Sequence, residues 1–179
     1  MPTSKRLSER LSSLKPHRAS VELWRAVREP YDVLSTRGTR IHGGRWNPAG
    51  VRALYLSFEL ATVRAELTRA AELQGDPEEA IYPVRVAKIA VEANLVELLD
   101  EQLLSDLGVE VPLSVLVPRS QTQRVGRGAA RVGIEALVVP SVAARAENVV
   151  VFPDNLATPL EVLSQRRASS PRRWPRPPS

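Results

Sequence analysis

The 179-residue chain has no cysteine and only two histidines, His17 and His42. A disulfide framework and a thiolate metal site are thereby excluded, and two imidazoles do not make a zinc centre unaided. No metal and no resident cofactor is expected. Nowhere does the chain approach the roughly 18 consecutive apolar residues that a membrane span requires. The opening MPTSKRLSERLSSLKPHR lacks the apolar core of a signal peptide, so a soluble cytoplasmic protein is the expectation. Lysine is scarce, at Lys5, Lys15 and Lys88 only, and no acid follows Glu161. The formal charge of +5 therefore sits at the ends: residues 1–20 carry +4 and 166–179 carry +5, leaving −4 across 21–165. A body of that sign presents no polyanion-binding face, and direct nucleic-acid binding by it is not expected.

What is present is ordinary globular material. Hydrophobic residues are 43% and charged residues 25%, enough to bury one core, while the length makes two domains improbable. The reading is of three segments: a basic extension over 1–20, a folded domain over 21–163, and a disordered Arg/Pro-rich tail over 164–179. In the extension, Leu7, Leu11 and Leu14 have helical spacing that stops at Pro16. Val21–Val27 alternates as a strand, with Arg25 on the same face as Val21 and Leu23. An arginine there normally reaches solvent; turned inward it is costly unless an anion meets it.

Residues 30–48 read as a long loop with Gly38, Gly43 and Gly44, and loops of that length are often functional. Arg37, Arg40 and Arg45 are anion-binding types. The P-loop and dinucleotide-fold glycine spacings are both missing. Val51–Ser57 is an apolar strand, and Ser57 is placed to cap the helix that follows over 59–73. That helix has an apolar stripe of Leu60, Val63, Leu67, Ala70 and Ala71, with Glu66 at its margin. Strands are expected over 80–90 and 94–99, with Pro83 marking an edge or bulge. Short helices are expected over 100–107 and 120–132, and 109–118 reads as irregular. Strands over 134–139 and 148–152 are joined too tightly for a parallel crossover helix, so they are antiparallel neighbours or consecutive sheet strands with a bulged turn.

The run GTRIHGGRWNPAG over 38–50, followed by ALYLS and a helix containing A-E-L, resembles the RES domain, a family named for its Arg, Glu and Ser. The segment GIEALVVPSVAARAENVVVFPDN over 133–155 is similar to the family's closing strands, with their Pro-Ser pair and following Asn. The resemblance implies an α+β fold like that of ADP-ribosyltransferases, a single domain with two small curved mixed or antiparallel sheets and flanking helices. It implies a bacterial toxin of a type II toxin–antitoxin pair that depletes NAD, its partner an Xre-type antitoxin blocking the active site. Motif by motif, Glu66 would be the catalytic carboxylate, Arg25 and Arg45 would hold the NAD phosphates, and Ser141 would complete the site. Tyr55 would line or stack the nicotinamide pocket, and Asn148, Trp46 and Asn47 would join the NAD-binding set.

The chemistry suits those types. Breaking the nicotinamide–ribose bond passes through an oxocarbenium-like state that a carboxylate stabilises, and arginines clamping the pyrophosphate contribute by positioning. Water, phosphate or a protein side chain would accept the ribosyl group, giving a glycohydrolase, a phosphorylase or a mono-ADP-ribosyltransferase. A non-catalytic RNA- or protein-binding module is the reading from a different class.

Overall fold

The computed structural model describes residues 4–176. Six strands and five helices follow one another in the order α1 (Ser4–Ser13), β1 (His17–Arg28), α2 (Arg37–His42), β2 (Leu54–Ser57), α3 (Leu60–Gln74), β3 (Val84–Glu97), α4 (Glu101–Asp106), α5 (Arg119–Arg131), β4 (Ala136–Pro140), β5 (Glu147–Val151) and β6 (Glu161–Ala168). Among the described residues no helix is long and apolar enough to cross a membrane.

The strands form one sheet of order β1-β2-β5-β4-β3-β6, and β1 also pairs with β3, so the sheet curls back on itself. Two small curved sheets were expected. What exists is two three-stranded blocks, β1/β3/β6 and β2/β5/β4, joined at both ends. One junction is parallel, Leu95 to Glu97 of β3 beside Ala136 to Val138 of β4. The other is a single bridge between Trp24 and Ser57. Because β1 and β2 meet at one point only, the curled sheet is open there, and the opening holds the site.

Alternation explains how strands as apolar as β4 and β5 are buried on both faces. Ala136, Val138, Val149 and Val151 point into the curl with Leu23, Leu54, Leu56, Ile89, Val91 and Leu95. Leu137, Val139 and Val150 point outward into a second core beneath the helices, with Trp46, Leu104, Leu107, Val125 and Phe152. A third, smaller cluster joins Leu60 and Leu67 of α3 to Trp24, Val84, Val86 and Trp174.

Both terminal assignments change. Leu7 and Leu11 of α1 are buried in the helix-side core, each contributing roughly 2 kcal/mol by area, and β1 already begins at His17. Residues 4–20 therefore belong to the fold. At the other end, residues 161–168 are a strand, paired with β3 from Val84↔Ala168 to Ala90↔Glu161, not a disordered tail. Its side chains are exposed except Ala168, so the backbone ladder orders it, which composition does not register. A 3-10 turn over Pro171–Arg173 then brings Trp174 onto the third cluster. The expected tail residues 177–179 lie outside the described residues.

Three internal expectations also shift. The two strands expected over 80–90 and 94–99 are one continuous β3, whose ladder with β6 shifts register between Lys88 and Ile89. It is interior to the sheet, and Pro83 precedes it. The expected loop over 30–48 contains the short helix α2. Ser57 does not cap α3: Glu59 is the N-cap residue, without a side-chain cap bond, because the Ser57 hydroxyl is engaged elsewhere.

Candidate active site

Where β1 and β2 separate, a cavity of about 650 Å³ is lined by Trp24 and Arg25 from β1, Tyr55 and Ser57 from β2, Glu66 and Arg69 from α3, and Asn148 from β5. That volume lies within the usual range for small-molecule sites. Its charged lining is four guanidinium groups, Arg25, Arg45, Arg69 and Arg119, against the single carboxylate of Glu66.

Glu66 is held by two donors on one oxygen. Ser141 Oγ donates to Oε1 at 2.6 Å and Asn148 Nδ2 donates to the same atom at 2.7 Å. Among the described residues Oε2 takes no partner, so it is the oxygen left for a ligand. Each donor is itself fixed. Asn148 Oδ1 accepts a short hydrogen bond from Ser57 Oγ, which orients the amide so that its nitrogen faces Glu66. Ser141 Oγ accepts from the backbone N–H of Ala143 and of Ala144, both at 3.1 Å. The Ser141 proton is therefore directed at the Glu66 carboxylate, and neither histidine lines the cavity. Ser141 positions Glu66 and is not built as a nucleophile. Ser57 was missed as a site residue because its place after a strand and before a helix reads as a cap; only the pairing Ser57↔Asn148 between β2 and β5 reveals its role.

Arg25 is half-buried and does not turn out to solvent as a strand arginine normally does. Its Nη2 donates to the Ser35 carbonyl at 2.9 Å, and Nη1 is buried with no hydrogen-bond partner. Burial draws its pKa down to about 10, partly countered by the Asp32 carboxylate. A guanidinium with one buried, unpartnered nitrogen on a cavity wall is suited to bind an anion.

The loop carrying Arg45 is locked by Tyr55 and α5. Trp46 N–H donates to Tyr55 Oη at 2.8 Å, and Tyr55 Oη donates to Asn47 Oδ1 at 2.8 Å. Burial pushes the Tyr55 hydroxyl above its ordinary pKa, keeping it a neutral donor. Gly44 is obligatory in this arrangement, since a Cβ there would lie 2.5 Å from Tyr55 Oη. From α5, Thr122 Oγ1 donates to the Arg45 carbonyl at 2.5 Å and Gln123 Nε2 to the Gly44 carbonyl at 2.8 Å. Gly126 allows the helix to sit this close: a Cβ would fall 1.5 Å from the Trp46 carbonyl oxygen.

The expected ligand set is thus sorted by geometry. Glu66, Asn148, Arg25 and Arg45 line the cavity, and Ser141 joins them through its hydrogen bond to Glu66. Tyr55 lines it with its ring while its hydroxyl serves the loop. Trp46 contributes to the wall but is chiefly a buried core residue. Asn47 is a correction: it is fully buried and off the cavity, its Nδ2 donating to the Thr39 and Val51 carbonyls at 2.8 Å, so it ties the loop and does not bind ligand. Arg37 and Arg40 lie on the exposed side of α2, outside the cavity.

No curated protein matches the chain. Among solved structures, a chain of the crystal structure of the M. tuberculosis MbcT-MbcA toxin-antitoxin complex is 25% identical, with a TM-score of 0.80 over 91% of this chain and 92% of that one. The RES domain family model matches residues 22–175, a span that takes in Arg25, Arg45, Glu66, Ser141 and Asn148 together. A match over that much of the chain settles the family: the protein is a member of the RES domain family.

Proposed function

We propose that the protein is the toxin of a toxin–antitoxin pair and that it breaks the nicotinamide–ribose bond of NAD. The observation that carries this reading is Glu66, fixed by Ser141 and Asn148 with one carboxylate oxygen free, in a cavity otherwise lined by arginines. The N-glycosidic bond cleaves with positive charge building on the ribose ring, and a preoriented carboxylate stabilises that charge without reorganising. Nicotinamide leaves neutral and needs no general acid, which suits a site with one carboxylate. Arg25 and Arg45 bind the pyrophosphate and align the ribose with Glu66. Ser57 acts through Asn148 as a positioning residue.

The curled, split sheet is read as ADP-ribosyltransferase-like, with the dinucleotide entering where β1 and β2 part. The toxin reading draws support from the toxin–antitoxin complex that the chain resembles in fold. The cavity rim offers exposed apolar side chains, Leu73 and Val115, with Leu116 adjacent at 88% exposed. We assign this rim to an antitoxin of the Xre type that closes the cavity. Incubating pure protein with NAD, with and without phosphate, and identifying the ribosyl product tests the activity and names the acceptor. NAD left intact under every condition, candidate protein acceptors included, would overturn it.

A further inference from the structure

Two cavity arginines, Arg69 and Arg119, have no part in the arrangement above, and their surroundings give them one. Arg69 lies three residues after Glu66 on α3, so the two side chains share a helix face about 5–6 Å apart at Cβ. Its Nε is buried without a hydrogen-bond partner. Arg119 opens α5, the helix whose Thr122 and Gln123 grip the loop that carries Arg45. All three guanidinium groups line the same cavity. Elsewhere on the molecule, arginines find carboxylates, as in Arg18–Glu92, Arg52–Asp154 and Arg64–Glu78. Among the described residues Arg45, Arg69 and Arg119 make no ion pair, and Arg45 loses proton affinity first to burial and then to Arg119 and, less, to Arg69, with Glu66 opposing. Three like charges gathered without a counter-charge are unfavourable by themselves and become favourable around an anion. Arg25 stands apart, the charge that acts on it being Asp32 and none of these arginines.

We infer that Arg69 and Arg119, with Arg45, form a phosphate-binding subsite beside Glu66, distinct from the Arg25 position. The charge count supports a second anionic group. Four guanidiniums against one carboxylate leave the lining with three positive charges, whereas a pyrophosphate bridge brings two negative charges. The shared chemistry is a tetrahedral phosphate anion, whether inorganic phosphate or a phosphate of the dinucleotide. The identity of the dinucleotide rests on the reading under Proposed function; the anion subsite does not.

The test is calorimetric titration of the full chain with inorganic phosphate and, separately, pyrophosphate at constant ionic strength, for the parent, Arg69→Gln, Arg119→Gln and Arg25→Gln. Arg69→Gln and Arg119→Gln are expected to weaken inorganic phosphate about tenfold or more, the loss of a charge-assisted bond, and Arg25→Gln less than about threefold. Arg69→Lys restores part of the affinity, since it keeps the charge and loses the fork. In NAD turnover, a raised KM for phosphate with KM for NAD unchanged assigns the subsite to the free anion; a raised KM for NAD assigns it to the dinucleotide. Should Arg69→Gln not fold, exposed Arg119 decides alone. Parent protein that binds neither probe, or an Arg69→Gln/Arg119→Gln protein that binds both within about twofold of the parent, overturns the subsite. Arginine-dependent phosphate binding without NAD turnover keeps the subsite and removes the NAD reading.

Discussion

Replacing Arg25 by methionine, which keeps much of the length and removes the charge, should make the unliganded protein more stable. Burial lowers the Arg25 pKa to about 10 from an ordinary value of 12.5, a difference of roughly 3 kcal/mol at about 1.4 kcal/mol per unit. The folded state carries that as a cost at neutral pH. Against it stands the hydrogen bond to the Ser35 carbonyl, worth about 1–1.5 kcal/mol. The net expectation is a gain of about 1–2 kcal/mol, or roughly 2–8 °C in Tm for a chain of this size. The sign of the pH dependence follows from linkage. Between the folded and unfolded pKa values the unfolded chain holds more protons on this group, so wild-type stability from Arg25 rises with pH there. The advantage of the variant should thus be full below about pH 10 and shrink above it. Thermal unfolding with NAD, in a Glu66→Gln background so that the dinucleotide persists, should reverse the order. The protein that keeps Arg25 gains about 2.7 kcal/mol at a hundredfold excess over Kd, and the one carrying Arg25→Met gains little. A fall in Tm on Arg25→Met without NAD, or equal gains with NAD, would refute the account of Arg25 as an anion ligand held at a cost.

Gly126→Ala places a Cβ against the Trp46 carbonyl and should cost about 3 kcal/mol or more as overpacking, read as a large drop in the denaturation midpoint. Tyr55→Phe removes both hydrogen bonds of the loop anchor; a loss of about 1.5–3 kcal/mol and a raised KM for NAD are expected from chemical unfolding and initial rates. Ser57→Ala frees the Asn148 amide to rotate, so kcat should fall about tenfold to a hundredfold while Tm changes by only a few degrees.

The elements whose stability is local were legible in the sequence. Helix α3 was found from its apolar stripe, and the β4–β5 pair from two apolar runs separated by a connection too short for a crossover. What failed depended on partners distant in the chain. Strand β6 has almost no buried side chain, and is ordered by the long edge of β3. Helix α1 reads as a basic extension because only Leu7 and Leu11 reveal the core it covers. In the site, Glu66 and Ser141 carry a motif, whereas Ser57, Arg69 and Arg119 acquire their roles from strand register and from the packing of α5. Asn47 shows the converse: a polar residue inside a motif that is buried to hold a loop.

The central claim is that Glu66, preoriented by Ser141 and Asn148, cleaves the nicotinamide–ribose bond. It is tested most directly by measuring nicotinamide release from NAD by the wild-type chain and by Glu66→Gln, with circular dichroism to show that both are folded. The account predicts release by the wild type and a loss of about a thousandfold or more in the variant, the scale expected for removing the charge that stabilises the transition state. Equal release by the two folded proteins, or none by the wild type, would contradict it.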